Sequence, residues 1–170
     1  LLRYDAEVSV PDGAVAVWSA PRAGPPCLVC APGAPCRTLY RFRMDYALPP
    51  STIAFAVGWF AQADVPGMPA ALPATLSAPR SLLARLQHEY GRVLPRLVRL
   101  LVDALGAFPF ARCDVAVMPP CLGALGWQNP NVTFLSHTLL PGDRSMAIRL
   151  VHELVHNYFG LLFSESDWYE

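Results

Sequence analysis

Lysine is absent from the 170 residues. All 13 basic side chains are arginine, and 13 acidic ones balance them to a net charge of +0. Without a charge excess there is no electrostatic case for nucleic acid or an acidic surface as partner. Charged residues are scarce, at 15% against 54% hydrophobic, which excludes a disordered, charge-rich tail. Long apolar runs are missing as well. None reaches the roughly 18–20 residues of a membrane span, and the longest, around residues 53–60, has strand length. No membrane partner is therefore expected. The chain opens Leu1-Leu2-Arg3-Tyr4-Asp5 with no initiator Met and no basic n-region before a cleavage site. The expectation is an internal piece of a longer cytoplasmic protein.

Cysteine is present but unpaired in pattern. There are 5, an odd number. Cys27-Leu28-Val29-Cys30 has the spacing of half a zinc ribbon, but no second pair follows at ribbon distance. The thiols read as free loop cysteines in a reducing compartment.

Alternation governs the first third. Ala6, Val8 and Val10 share one parity, Pro11-Asp12-Gly13 makes a turn, and Val15 and Val17 resume, which predicts a β-hairpin. Residues 21–36 read as a loop, and 38–44 and 51–60 as strands. Residues 1–62 thus form a β domain. Prolines 66, 69, 73 and 79 mark 63–79 as a linker or extended surface segment. Helical spacing of Leu82, Leu86, Tyr90, Val93, Leu97, Leu101 and Leu105 predicts a helix over 80–105, kinked or broken at Pro95. Short strands follow at 113–118 and 132–135. A last helix is predicted from about residue 144 to 159, with Asp143 as N-cap and Gly160 as its stop. The fold class is α+β, with a second domain over 63–170.

The chemistry concentrates in His152-Glu153-Leu154-Val155-His156. Histidines four apart lie one turn apart on a single helix face, about 6 Å along the axis. Both imidazoles can then reach one metal at about 2.0–2.1 Å. Glu153 is rotated about 100° from His152, beside the metal, where it can take a proton from water and pass it to a leaving amine. Zn2+ suits that work. Apolar neighbours such as Leu150, Leu154 and Tyr158 predict a buried helix. Two readings stand: a metal pair, or core histidines satisfied by other partners. A metzincin would need His at the sixth position after His156. Leu162 is there, which excludes that class. Asp167 and Glu170 are downstream carboxylates at no recognised zinc spacing.

The wider string is more specific. His152-Glu-Leu-Val-His156-Asn-Tyr-Phe-Gly160, followed by Asp167-Trp168-Tyr169-Glu170, resembles the zinc aminopeptidase family of gluzincins, whose members read His-Glu-x-x-His-x-Trp-Phe-Gly. Residues 108–119 resemble the strand before that family's exopeptidase motif. Gly126-Trp127-Gln128-Asn129-Pro130 sits where the family has Gly-x-Met-Glu-Asn-Pro. The phrase over 133–143 is most similar to the aminopeptidase O branch. The resemblance covers roughly residues 38–170.

It implies the end of an N-terminal β domain followed by the first part of a thermolysin-like catalytic domain. It makes His152 and His156 zinc ligands, Glu153 the general base, and Gly126, Gln128 and Asn129 substrate-binding. The family's third ligand, a Glu nineteen positions after the second His, falls beyond Glu170. The family's amine-binding Glu aligns with Gln128, which carries no charge. Ordinary turn chemistry before Pro130 is the alternative for Gln128 and Asn129. The expected function is zinc-dependent removal of N-terminal residues from peptide substrates. A non-catalytic binding or scaffold protein on the same fold is the rival, and a non-peptidase metallohydrolase a third. Protein partners stay open. His88 is expected on the surface, and His137 at a surface or a cleft. The Asn131-Val132-Thr133 sequon is expected to be unmodified.

Overall fold

The computed structural model describes residues 1–163, and the chain divides into two compact units at Phe60 and Ala61. In the first unit the strands are β1 (Leu2–Pro11), β2 (Val15–Trp18), β3 (Cys27–Val29), β4 (Arg37–Leu48) and β5 (Phe55–Gly58). They form a three-stranded sheet in the order β1-β4-β3 and a two-stranded sheet of β2 and β5. β1 and β4 pair antiparallel along most of their length, so one face buries Val10, Phe42 and Met44. The other face sets Asp5 opposite Arg43 and Glu7 opposite Arg41 as ion pairs of 2.7 and 2.6 Å. Both pairs are exposed, so they fix register more than they stabilise.

The turn at Pro11-Asp12-Gly13 forms, with the Ala14 N–H donating to Pro11 C=O at 3.0 Å. The expected hairpin does not. β2 leaves β1 and pairs antiparallel with β5. Alternation specifies a strand and its buried face, but not its partner. Here Trp18 decides the matter, stacking on Phe42 at 5.3 Å and on Phe55 at 4.6 Å. The loop over 21–36 contains β3, whose register with β4 brings Cys30 across from Cys36. These two form a disulfide, which corrects the reading of free thiols. Cys27 remains free and exposed, Cys113 free and buried.

The second unit contains β6 (Phe60–Asp64), β7 (Thr75–Pro79), α1 (Arg80–Tyr90), α2 (Leu94–Leu105), β8 (Asp114–Met118), β9 (Gly126–Asn129), β10 (Val132–Ser136) and α3 (Ala147–Val155). The sheet order is β6-β7-β8-β10-β9. β7, β8 and β10 run parallel, and β9 joins β10 antiparallel at the edge. The β9–β10 connection is Pro130-Asn131, and Asn131 takes a left-handed φ of 65°, a turn position that Asn tolerates. The Asn131 side chain accepts from the Arg112 N–H at 3.1 Å and is buried, as is Thr133. A glycan cannot reach this sequon in the folded chain.

One expectation fails in this unit, and the expected helix break falls at another place. Residues 75–79 are not linker but the interior strand β7, with Leu76 and Ala78 fully buried. Strands of parallel sheets are short and covered on both faces, so a five-residue strand ending at Pro79 sufficed. The long helix is also two helices. The break falls at residues 91–93, and Pro95 sits in the first turn of α2, where its missing N–H costs nothing. Beyond the break the buried stripe rotates by one position, to Leu94, Val98 and Leu101. No helix among the described residues is long and apolar enough to cross a membrane.

Candidate metal and proton-transfer site

Helix α3 is shorter than its pattern predicts. It begins at Ala147, with Met146 in the cap position and no side-chain cap. Asp143 instead accepts from Ser145, whose side chain first and whose N–H at 2.9 Å second hold the Asp143 carboxyl below the usual range. Past Val155 the chain closes through tight turns, with Gly160 at φ 107°. Leu150, Leu154 and Tyr158 form the buried stripe, four residues apart. Contrary to expectation, the helix is not buried all round, because Ile148, His152 and His156 face outward.

His152 and His156 converge. Their Nε2 atoms lie 3.2 Å apart, and the rings meet edge to face at 87°. Two ligands bound at 2.0–2.1 Å to one tetrahedral ion stand about 3.3–3.4 Å apart, so the pair fits a shared zinc. The Nδ1 of His156 faces the Phe159 C=O at 3.1 Å. That contact places the ring proton on Nδ1 and leaves the Nε2 lone pair free, the outer bond that orients metal-ligating histidines. Among the described residues no third His, Cys, Asp or Glu joins the pair. Asp167 and Glu170 lie outside the described residues.

Glu153 lies on the adjoining stripe of the helix, about 100° from His152, and reaches the edge of the sheet. It is 8% exposed and packs against Gly126. A Cβ at position 126 would sit 2.5 Å from Cδ and 2.7 Å from Cγ of Glu153. Glycine is required by this close approach, not by backbone angle. One helical turn on, Asn157 meets Gln128. The Gln128 Nε2 donates to Asn157 Oδ1 at 3.0 Å and to Asn129 C=O at 2.7 Å, and its Oε1 accepts from the Thr133 hydroxyl. Asn157 in turn donates to Leu154 C=O at 2.9 Å. Residues i and i+4 of a helix are about 6 Å apart and residues i and i+2 of a strand about 6.8 Å. The steps Glu153–Asn157 and Gly126–Gln128 therefore match in register. Asn129 donates from its side chain to Trp127 C=O at 3.3 Å.

Burial raises the Glu153 carboxyl above its usual range, opposed by His152, His156 and the Gln128 backbone N–H. A carboxyl raised in the folded state is easier to fold protonated, so its contribution is most favourable at low pH and is lost as pH rises through the carboxylate range. In the metal-free chain, Glu153→Gln is thus expected to raise the melting temperature at pH 7. The gain should vanish below about pH 4, where wild type is protonated. Melting curves of both proteins from pH 4 to 8 check this, and a gain independent of pH would show that burial does not strain the carboxylate.

His88 is exposed, and its Nε2 lies 3.1 Å from Gly142 C=O. His137 is half-buried at the end of β10, and its Nδ1 is a buried atom without a partner among the described residues. Sequence reasoning overlooked Asn157 and Gly126–Glu153 packing, because neither carries a spacing signal until the strand and helix are brought together.

The architecture is α+β: the end of a β domain followed by the first part of a thermolysin-like catalytic domain. The M1 zinc metallopeptidase of Deinococcus radiodurans shares this fold, with a TM-score of 0.71 at 21% identity, over 98% of this chain and 36% of that one. By sequence the chain is homologous to the M1 zinc aminopeptidases. It is 32% identical to rat aminopeptidase B over 98% of this chain and 24% of that protein. It is 35% identical to human aminopeptidase O over 58% of this chain and 12% of that protein. The chain thus spans about a quarter of the length of relatives such as aminopeptidase B. No family model matches it.

Proposed function

We propose that this chain carries the metal-binding helix and the substrate-side edge strand of a zinc-dependent aminopeptidase. The observation that carries the reading is the convergence of the two Nε2 atoms at 3.2 Å, with a buried Glu153 on the adjoining helix stripe. His152 and His156 hold two positions of the zinc site. Zinc bound there would polarise a scissile carbonyl and make hydroxide available near neutral pH. Glu153 takes a proton from the attacking water and returns it to the leaving amine, work for which a carboxyl raised by burial is suited.

Gly126, Gln128 and Asn129 supply the strand along which the peptide lies. The Gln128 N–H points to Glu153 rather than to β10. Alternate residues of an edge strand share that direction, so Gly126 and Gln128 turn backbone groups toward the open edge. An extended peptide can add to such an edge by main-chain hydrogen bonds. The Gln128 amide is occupied by Asn129 and Asn157 and brings no charge to a substrate ammonium. That feature favours the second reading, a binding protein that keeps the fold without turnover.

Zinc titration of the full-length protein, with peptide hydrolysis measured alongside, tests both. One zinc per chain is expected, and loss of affinity in His152→Ala or His156→Ala should exceed the roughly 10–100-fold that loss of an outer partner costs. Unchanged zinc binding in both variants would overturn the site. Zinc binding without turnover would select the second reading.

A further inference from the structure

The segment that leads into α3 has no regular structure from Leu140 to Met146, yet several of its backbone groups are held by side chains. Its fasteners all come from the last two turns of α1. Tyr90 donates its hydroxyl to Leu139 C=O at 2.7 Å, and Arg85 donates to Leu140 C=O. His88 reaches Gly142 C=O at 3.1 Å, and the Arg144 guanidinium donates to the His88 C=O at 3.1 Å. At the centre is Glu89, fully buried. One carboxylate oxygen accepts from the Gly142 N–H, the other from the Arg144 N–H at 2.9 Å.

A buried carboxylate is an expensive way to fill space. Arg144 also adopts φ 64°, a left-handed conformation that persists only where the surroundings over-determine it. The two costs meet at one contact: the carboxylate that needs donors fixes the residue that would otherwise relax. Arg144 lies three residues before Ala147, the first residue of α3, and that helix has no side-chain cap of its own.

We infer that Glu89 is a positioning residue that sets the start and register of the helix bearing His152, Glu153 and His156. The inference rests on the zinc reading of that helix for its consequence, though not for its geometry. Its physical content is that the two backbone donors at 142 and 144 are clamped by one rigid acceptor, so α3 meets β9 in the register that puts Glu153 against Gly126.

The test compares three variants of the full-length protein. Glu89→Gln keeps the size but turns an amide N–H toward one of the two backbone donors. Tyr90→Phe removes a neighbouring bond to the same segment, upstream of the Arg144 turn. Glu89→Gln combined with Arg144→Gly lets position 144 keep φ 64° without the clamp. Zinc affinity is read against melting temperature. Glu89→Gln should weaken zinc about ten-fold, in line with outer-shell effects at metal sites, at a melting loss similar to Tyr90→Phe. Tyr90→Phe should leave zinc affinity unchanged, and the double variant should recover most of it. Equal zinc losses in Glu89→Gln and Tyr90→Phe, or no recovery, would reduce Glu89 to general scaffolding and overturn the inference. If Glu89→Gln does not fold, Glu89→Asp, which reaches only one donor, serves in its place. If wild type binds no zinc, the peptidase reading fails by itself, and hydrogen exchange decides the clamp. Faster exchange of the α3 amides in Glu89→Gln but not in Tyr90→Phe supports it, and matching rates overturn it.

Discussion

Glu153→Gln is expected to lower turnover of peptide substrates by about 10²–10⁴-fold, the range that a positioned general base contributes. The substitution preserves shape where shape is critical, since the side chain lies under Gly126 with no room to spare. The amide oxygen can still accept from the Gln128 N–H. What disappears is the capacity to take a proton. His152 and His156 sit on the outward stripe of α3, so zinc content should stay the same and the loss should fall on kcat, with KM little changed. Steady-state kinetics of the full-length variant, with zinc measured on the same sample, check this. Wild-type turnover with normal zinc would assign proton transfer to another group. Stripped of metal, the same variant is expected to melt higher at neutral pH, so metal-free stability and activity should move in opposite directions, as they do where a charged group is kept in a desolvated place for its chemistry.

How much of this was legible before any coordinates depends on whether the signal was local. The His152–Glu153–His156 string is local, because a helical period fixes three side-chain directions within five residues. The shared face of the two imidazoles follows from it directly. Burial of the helix did not follow. The pattern of Leu150, Leu154 and Tyr158 marks one buried stripe, but the apolar Ile148 lies on the exposed side and misleads. The hairpin at residues 11–13 shows the other limit. Its turn chemistry was correct, yet strand pairing is decided by distant residues such as Trp18, Phe42 and Phe55. β7 was hidden by the prolines that bound it. Gly126 was marked by the resemblance as substrate-binding, but its packing role was hidden, for a glycine that admits a neighbour looks like any other until the neighbour is in place. Asn157 was equally silent, being simply the residue after the second histidine.

Gly126→Ala should be the most disruptive small change in the site. The added Cβ would stand 2.5 and 2.7 Å from Cδ and Cγ of Glu153, well inside any tolerable contact, so one side must move. β9 is poorly placed to retreat. It is paired with β10 at all four of its residues and tied to α3 by the Gln128–Asn157 bond. Glu153 must therefore turn away, on a side chain already boxed in by burial. Overpacking of this kind costs about 1–3 kcal/mol, and a displacement near 1 Å at a reacting group costs about 10²-fold in rate. Zinc affinity should change less than turnover, since the histidines lie on the adjoining, outward stripe. Denaturation of the double variant isolates the cause. In a Glu153→Ala background the carboxylate is gone, and Gly126→Ala should then cost only a small part of its original penalty. That gives a coupling of about 1–3 kcal/mol between two positions in contact. Additive effects would mean that the methyl group strains the strand itself, and that Gly126 is kept for its backbone rather than for room to seat Glu153.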